Sequence, residues 1–376
     1  MSRQALYVGI GNYDAPAHPD LEPAVRAARQ LAELLARNHD GSPWWPDPQG
    51  PVLLTTRNGG RVTEPQLLAA FDRLLVSSKH DHLLFYFAGH GRPVQRRGRG
   101  LDLLLTSSDD GWTGDQANRG EPKGLWAADL FKRIRDAEPA SATVILDCCH
   151  AGLAARAWRP GAKDTGIVLM AAAEADQAAL SASAESVPQF TRFLLEGLNS
   201  GASDIQGRVT AMSLYAYAAG VMVAQSHGHV PVFKGEVQSL VTLRKTQPVL
   251  SQLDLERLAL PVTVDGEEVP PGFDREDQVI QARPEWETEF AEHTPPPLSR
   301  PRGLKYEDKT DAQKLMDYYN RLRRAGLAET TDQNDDLYWT VIASIDEPGR
   351  HGVRLTPLGR YYFELSRAGR IGRADD

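Results

Sequence analysis

Short apolar runs alternate with amphipathic stretches along the first two thirds of the chain. Runs such as "LLFYFA" and "TVIL" leave no polar position to face water, which is typical of parallel strands buried on both faces. The predicted strands are Ala5–Ile10, Val52–Thr56, Leu83–Ala88, Leu101–Thr106, Thr143–Asp147, Ile167–Ala171 and Pro231–Lys234. The predicted helices are Leu21–Arg37, Glu64–Val76, Leu125–Ala137, Gln189–Leu198 and Ser213–Gln225. Strands that alternate with helices predict an α/β layered domain with a largely parallel sheet, over residues 1–245.

The pattern changes after residue 245. "DGEEVPPGFDRED" and "HTPPPLSRPRG" are rich in proline and acid, which predicts a linker over residues 246–303. Periodicity returns in residues 304–376, where a helix over Asp311–Ala325 is expected to stop at Gly326. "LYWTVIASI" and "HGVRLT" predict a hairpin, and "PLGRYYFELSRAG" predicts a closing helix. This order of elements resembles a winged helix, a small α+β module.

Composition and charge narrow the class of protein. Hydrophobic residues make up 41% of the chain and charged residues 24%, a balance that is normal for a globular protein. The net charge of −8 argues against general binding to nucleic acid or to acidic membranes. No apolar stretch approaches the ~18 residues that a membrane span needs, and the N-terminus lacks the features of a signal peptide. We therefore expect a soluble, cytoplasmic protein with no membrane partner.

Two buried runs end in reactive side chains. "LLFYFAGHG" ends with His90 between two glycines, and "TVILDCCHAG" places Cys148 and Cys149 after its strand. Either motif alone is also compatible with a core cysteine or a solvated histidine. If the two strands are neighbours, however, His90 and a cysteine lie at the same sheet edge, where reactive groups collect in α/β proteins. The nearby histidine would supply the base that a thiol nucleophile needs. No metal site is predicted, because Cys-Cys-His lacks the ligand spacing of structural zinc.

These motifs resemble those of the caspase–metacaspase superfamily of cysteine peptidases. "YFAGHG" and "LDCCHAG" match the metacaspase-type His and Cys motifs, except that Ala151 stands where serine is usual. The segments "ALYVGIGNYDAP", "LLTSSDDG", "AAAEADQAAL" and "FTRFLLEGL" are also similar, so the resemblance covers about residues 4–235. It implies a caspase-like three-layer α/β/α sandwich built on a mostly parallel six-stranded sheet.

The resemblance also implies roles for individual residues. Cys149 would be the nucleophile, and His90 would take its proton and later protonate the leaving amine. The backbone N–H groups of Gly91 and Cys149 would form the oxyanion hole. Cys148 is expected to be a buried structural thiol on the opposite face of the strand. His150 is expected to order the loop rather than act as a second base.

A carboxylate two residues before the nucleophile indicates the substrate class. Metacaspases carry Asp at this position and cut after Arg or Lys, and here it is Asp147. A carboxylate pairs best with a planar guanidinium, so we predict cleavage of protein substrates after Arg, with Lys second. Related chains have a further pocket acid in the first helix, where this chain has Arg26 and Ala27. The pocket would therefore have one acid fewer, or would recruit Asp14 or Asp20.

Calcium activates many metacaspases through a cluster of acids, to which Asp109 and Asp110 could belong. Arg156 stands where an acid would help to hold the ion, so no cofactor is expected. We favour instead a turn at Asp109 and Asp110, or a place for them in the substrate cleft.

A peptidase of this kind needs a switch. The loops "PVQRRGRG" and "GLAARAWRPGAKD" carry basic residues beside the two motifs. Arg156, Arg159 and the cluster at positions 96, 97 and 99 are candidate processing sites for the enzyme itself or for an upstream protease. The alternative is that these are only solvated loops.

The appended module suggests a regulatory partner. It carries nearly equal numbers of basic and acidic residues, which favours an adaptor for a regulatory protein over a DNA reader. Related bacterial peptidases carry such modules in defence or signalling circuits. Two alternatives remain: a catalytically silent scaffold with this fold, and a DNA-binding regulator that acts through the winged helix. The intact Cys149 and His90 favour the peptidase.

Overall fold

The chain folds into two compact units, Met1–Gln247 and Pro248–Asp376, in the computed structural model of the protein. The structure describes residues 3–15, 17–45, 52–56, 59–76, 81–96, 98, 100–113, 121–159, 166–172, 187–225, 230–236, 241–260, 262–264, 267–269, 311–330 and 353–371. Among these residues, no helix has both the length and the apolar character that crossing a lipid bilayer requires.

The elements of both units follow in chain order. The strands are β1 (Arg3–Gly9), β2 (Val52–Thr55), β3 (His82–Ala88), β4 (Gly91–Arg96), β5 (Gly100–Thr106), β6 (Gly124–Trp126), β7 (Ser141–Asp147), β8 (Gly166–Ala171), β9 (Arg208–Thr210), β10 (Val232–Glu236), β11 (Thr242–Lys245), β12 (Val262–Val264), β13 (Glu267–Val269), β14 (Ala328–Thr330) and β15 (Val353–Leu355). The helices are α1 (Glu22–Leu35), α2 (Glu64–Leu75), α3 (Ala127–Ala137), α4 (Ala154–Ala157), α5 (Gln189–Glu196), α6 (Ala211–Gln225), α7 (Gln252–Glu256), α8 (Asp311–Arg324) and α9 (Pro357–Arg367). A 3₁₀ turn at Ala151–Leu153 precedes α4, and a π turn at Gly197–Gly201 follows α5.

The central sheet of the first unit has six strands in the order β10-β8-β7-β3-β1-β2. All neighbours run parallel except β10, which is antiparallel to β8 at one edge. The prediction of a mostly parallel six-stranded sheet is confirmed. The predicted strand Leu101–Thr106 also forms, as part of β5, but it belongs to a separate antiparallel sheet with the order β4-β5-β6.

Two apolar cores lie on opposite faces of the central sheet. One core combines strand residues such as Leu6 and Phe85 with side chains of α2 and α3, and it also includes Leu103 and Leu105 of β5. The other combines alternate strand residues such as Tyr7 with side chains of α1, α5 and α6. Because successive strand residues point to opposite faces, the central strands are apolar throughout. The result is the expected three-layer α/β/α arrangement.

Among the described residues, the second unit contains three helices and two antiparallel pairs of short strands, β12 with β13 and β14 with β15. Helix α8 matches its prediction, and Gly326 beyond it has φ +71°, a left-handed conformation that favours glycine. The closing helix is α9, whose N-cap Thr356 accepts a hydrogen bond from the Gly359 amide at 3.1 Å.

The winged-helix prediction for this unit is not established. Strand β15, within "HGVRLT", pairs with β14. Its predicted partner "LYWTVIASI" lies outside the described residues. Most of the predicted linker 246–303 also lies outside them, but its first part includes helix α7. Ser366 of α9 donates a hydrogen bond to the Glu256 carbonyl of that helix at 2.5 Å.

Candidate active site

The carboxyl ends of β3 and β7 bring the two sequence motifs together. These strands are parallel neighbours, with Ala88 opposite Asp147, so the residues that follow them emerge at the same edge. Beyond the strands, Gly91 after β3 packs closely against the two cysteines after β7. A Cβ at Gly91 would lie 2.3 Å from the Cys149 carbonyl oxygen and 2.6 Å from the Cys148 Sγ. The expected proximity of the His and Cys motifs is therefore present.

The ring of His90 is held on three sides by the loop that follows β1. Its Nε2 lies 2.8 Å from the carbonyl oxygen of Pro19. The ring also contacts the rings of Tyr13 and His18, with centroid distances of 4.7 and 4.8 Å. A carbonyl oxygen can only accept a hydrogen bond, so Nε2 carries the proton and Nδ1 keeps the free lone pair. This tautomer leaves Nδ1 able to accept a proton.

The pKa of His90 is lowered from 6.5 to about 4, mainly by burial and also by the electrostatic effect of His18, while the hydrogen bond to the Pro19 carbonyl opposes the change. The imidazole is therefore neutral at pH 7. A neutral imidazole can act as a general base, whereas an imidazolium cannot.

A buried carboxylate anchors His18 behind this ring. The Nε2 of His18 lies 3.0 Å from Asp110 Oδ2, and Arg92 donates to Asp110 Oδ1 at 3.0 Å. The side chain of Asp110 has no exposed surface, and the Lys123 amide also donates to it at 2.9 Å. Trp112 covers His18 with a centroid distance of 5.0 Å. The loop that positions His90 is thus tied to the β5–β6 connection.

The backbone at Cys149 makes a sharp turn between β7 and the 3₁₀ turn. Cys149 is half-buried, and among the described residues no acceptor is bonded to its amide. His150 has φ +57°, which is uncommon for a residue with a side chain and costs about 1 kcal/mol or more. This strained turn directly follows Cys149, at the sheet edge where the residues after β3 also emerge.

The amide of Gly91 faces away from β5. The Thr106 amide donates to the His90 carbonyl at 3.1 Å, so His90 and Thr106 form a hydrogen-bonded pair of the antiparallel ladder. Such pairs alternate with pairs that are not hydrogen-bonded, and the next pair is Gly91 with Leu105. The N–H of Gly91 is therefore not used by the β4–β5 ladder, and among the described residues no acceptor is bonded to it.

Cys148 is buried in the core on the α2 and α3 side of the sheet, as predicted. Burial raises its pKa well above the usual value, and the nearby Cys149 and Asp147 add to the effect. A thiol in this environment stays protonated and unreactive near neutral pH. The two adjacent cysteines therefore differ in burial, since Cys149 is only half-buried.

Asp147 lies at the end of β7 on the opposite face, and it is buried, with 4% of its surface exposed. Its Oδ2 accepts hydrogen bonds from the Thr191 amide at 3.2 Å and from the Thr191 hydroxyl at 2.5 Å. Burial raises the pKa of Asp147 to about 6, while the Thr191 bonds oppose that rise. At neutral pH the carboxylate is ionised, although it lies almost entirely within the protein.

Three of the other acids named from the sequence, Asp14, Asp109 and Asp110, pair with cationic side chains. Asp14 forms an ion pair with Arg61, while Asp20 is exposed. Asp109 and Asp110 form a turn, as expected, in which the Asp110 amide donates to the Ser107 carbonyl at 3.2 Å.

Asp109 and Asp110 do not fit a calcium site. Asp109 faces the ammonium group of Lys123 at 3.4 Å, and Asp110 faces the Arg92 guanidinium. Calcium would have to displace both cations. In the described part of the chain, no group of three or more His, Cys, Asp or Glu side chains is arranged to hold a metal ion.

Arg156 and Arg159 are exposed on and just after α4. The guanidinium of Arg159 donates to the carbonyl oxygens of Arg156 and Trp158, both at 2.7 Å. Arg96, from the other basic loop, pairs with Asp102 and Asp129, while positions 97 and 99 lie outside the described residues.

Sequence reasoning missed several groups around the site. His18, Pro19 and Tyr13 belong to the loop after β1, and Thr191 lies in α5. A signal for them existed, because polar and aromatic residues directly after a buried parallel strand lie at the same edge as those after its neighbours.

A model of the caspase domain matches residues 2–255, which is most of the chain. The chain belongs to the caspase family. A comparison with curated proteins gives no match. The chain is also similar to two solved structures. Protein GSU0716 from Geobacter sulfurreducens is 15% identical and covers 66% of this chain and 95% of its own, with a TM-score of 0.43. Caspase-1 from Spodoptera frugiperda is 10% identical and covers 65% of this chain and 92% of its own, with a TM-score of 0.41.

Proposed function

We propose that this caspase-family protein is a cysteine endopeptidase that cuts proteins after basic residues, Arg before Lys. The observation that carries the proposal is the meeting of the β3 and β7 ends. There a neutral imidazole with a free Nδ1 is followed by Gly91, which packs against the backbone of the half-buried Cys149. A silent scaffold would need neither group.

In the proposed reaction, the Nδ1 of His90 takes the proton of the Cys149 thiol as the sulfur attacks the scissile carbonyl carbon. The amides of Gly91 and Cys149 donate to the oxyanion of the tetrahedral intermediate. The imidazolium then protonates the leaving amine, and the C–N bond breaks. Water, deprotonated by His90, finally hydrolyses the thioester and frees Cys149. The Pro19 carbonyl holds the ring throughout through Nε2–H.

Asp147 is proposed to recognise the basic side chain before the scissile bond. Support comes from its ionised state at neutral pH and from its place directly before the two cysteines. Because the carboxylate is largely buried, its attraction for a cation is weakly screened by water. A guanidinium sheds its hydration more easily than an ammonium, which favours Arg over Lys.

Fluorogenic peptides that differ only in Arg, Lys or Asp before the reporter test the proposal. We expect turnover of the Arg peptide, slower turnover of the Lys peptide, and none of the Asp peptide. Cys149→Ala should reduce the rate by ~10³-fold or more, while Cys148→Ala, its neighbour on the buried face, should keep most of the activity. Turnover of the Asp peptide alone would refute the specificity, and an active Cys149→Ala variant would refute the nucleophile.

Regulation is proposed to act through processing at Arg156 or Arg159 and through a protein partner of the C-terminal module. Both side chains are exposed, and both would suit the proposed pocket. A regulated peptidase of this kind would serve signalling or defence. Arg156→Ala and Arg159→Ala variants, followed by mass spectrometry of the incubated chain, test the processing. Full activity with no chain cleavage in the parent protein would rule it out.

A further inference from the structure

The side chain of Thr191 lies between the candidate specificity acid and a buried tyrosine. Thr191 is the third residue of α5, where backbone N–H groups lack a partner within the helix. Its amide and its hydroxyl both donate to the same oxygen, Oδ2 of Asp147. Its own hydroxyl oxygen lies 2.6 Å from the hydroxyl of Tyr86 on β3.

The ionised carboxylate of Asp147 sets the direction of each hydrogen bond in the series Asp147–Thr191–Tyr86. An ionised carboxylate only accepts hydrogen bonds, so the single hydroxyl proton of Thr191 points to Asp147. The Tyr86 hydroxyl then donates to Thr191. Tyr86 is fully buried, and burial raises its pKa well above the usual value, so its proton stays in place.

We propose that Thr191, backed by Tyr86, is a positioning residue for substrate specificity: it occupies Oδ2 of Asp147 and leaves Oδ1 alone to bind the basic side chain. This inference rests on the proposed function. Both lone-pair directions of Oδ2 are filled, and among the described residues no donor is bonded to Oδ1. The small exposed fraction of Asp147, 4%, therefore suits contact through one oxygen.

A single available oxygen has a consequence for selectivity. A guanidinium gains its advantage over an ammonium mainly through two parallel hydrogen bonds to both carboxylate oxygens. With Oδ2 occupied, Arg loses one of them. The preference for Arg over Lys should then be narrow, about tenfold or less in kcat/KM.

The same two bonds keep the carboxylate charged. Burial alone drives Asp147 toward its neutral form, and the bonds from Thr191 oppose it. The ionisable groups that face Asp147 from the described elements are the Tyr86 phenol and the Cys148 thiol, whose own pKa values are raised. Both stay neutral between pH 5 and 9, so a change in substrate binding over this range reports on Asp147.

The test is Thr191→Val, which keeps the shape and the backbone amide but removes the hydroxyl. KM and kcat are measured from pH 5 to 9 with an Arg peptide and with the uncharged citrulline peptide. In the parent protein, KM for the Arg peptide should rise as pH falls through about 6. In Thr191→Val this rise should begin about one pH unit higher, with kcat/KM about threefold lower near pH 6.5 and about tenfold lower near pH 5. KM for the citrulline peptide should not change with pH in either protein.

Thr191→Ser restores the hydroxyl and should restore the parent profile. Tyr86→Phe removes only the donor behind Thr191 and should shift the profile less, in the same direction; it also serves if Thr191→Val does not fold. An unshifted KM profile in both variants, with Arg turnover intact in the parent, overturns this inference alone. Absence of Arg turnover in the parent overturns the proposed function instead.

Discussion

The imidazole of His18 stacks on that of His90, with centroids 4.8 Å and planes 24° apart. On its far side, His18 bonds to the buried carboxylate of Asp110 at 3.0 Å. The stack excludes water from one face of His90 and disfavours a positive charge on it. His18 therefore fixes both the plane and the acidity of the candidate base.

Replacing His18 with Ala should raise the pKa of His90 from about 4 toward 6.5, because both the burial and the neighbouring charge that lower it would be reduced. His90 must be neutral to accept a proton, so activity is lost when pH falls below its pKa. The acid limb of kcat, measured at saturating Arg peptide, should therefore move to higher pH. We choose kcat rather than kcat/KM because protonation of Asp147 near pH 6 already raises KM for this peptide. His18→Phe keeps a stacked ring and should shift the limb less. An unmoved acid limb in His18→Ala would contradict this role.

Gly91→Ala should abolish peptidase activity while leaving most of the fold intact. A Cβ at this position would lie 2.3 Å from the Cys149 carbonyl oxygen, and relief requires the two strand ends to separate. A displacement of about 1 Å at reacting groups can cost ~10²-fold in rate. Kinetics with the Arg peptide measure the loss of activity, and a circular dichroism spectrum measures how much of the fold is kept. Gly220→Ala is the matched control, since Gly220 has ordinary helical backbone in α6 and a Cβ there meets nothing within 4 Å. Normal turnover by Gly91→Ala would be inconsistent with close packing of the two tips.

The layered fold could be predicted because its strands are apolar on both faces, as Leu83–Ala88 illustrates. Which strands lie side by side could not be predicted. Leu101–Thr106 has the same apolar character, yet it pairs with β4 and β6 outside the central sheet. Hydrophobic periodicity reports burial, and it carries no information on which strand lies alongside.

Some residues of the candidate site could likewise be predicted from the sequence, and others could not. Cys149, His90 and Asp147 lie in short local motifs, so they could be selected as candidates from the sequence alone. Pro19 contacts His90 through its backbone carbonyl, which no side-chain pattern can reveal. Thr191 matters only because α5 begins beside the end of β7, a juxtaposition that depends on the folded chain.

Asp147→Asn should unfold at a higher temperature than the parent protein at pH 8. The pKa of Asp147 is raised to about 6 from 3.8, so the folded state favours the protonated carboxyl. The contribution of this carboxyl to the stability of the folded parent protein is complete below pH 3.8 and is lost as pH rises through 6. Asn is neutral at every pH and can still accept from Thr191. The gain should approach ~3 kcal/mol at pH 8 and disappear near pH 4.

Thermal melts of both proteins at pH 4, 6 and 8 measure this difference. The variant should also lose turnover of the Arg peptide, which would be a trade of activity for stability. Equal melting temperatures at pH 8 would mean that the carboxylate carries no burial cost.

Arg244 links the ends of two helices. From β11 its buried guanidinium donates to the Leu34 and Arg37 carbonyls at the end of α1, at 3.1 and 3.2 Å. It also donates to the Leu198 carbonyl, in the π turn after α5, at 2.9 Å. Cations favour helix C-termini, where carbonyl groups lack partners within the helix.

Arg244→Met should therefore destabilise the caspase domain by ~2 kcal/mol, since it leaves the buried Leu198 carbonyl and the part-buried carbonyls at the end of α1 without this donor. Urea denaturation measures the loss. Lys245→Met is the matched control in the same strand, because Lys245 is only half-buried and lies over the Trp44 ring at 4.9 Å, a contact worth ~1 kcal/mol or less at such a site. Equal urea midpoints for the two variants would show that water replaces the guanidinium without loss of stability. Apolar packing alone would then hold the two helix ends in place.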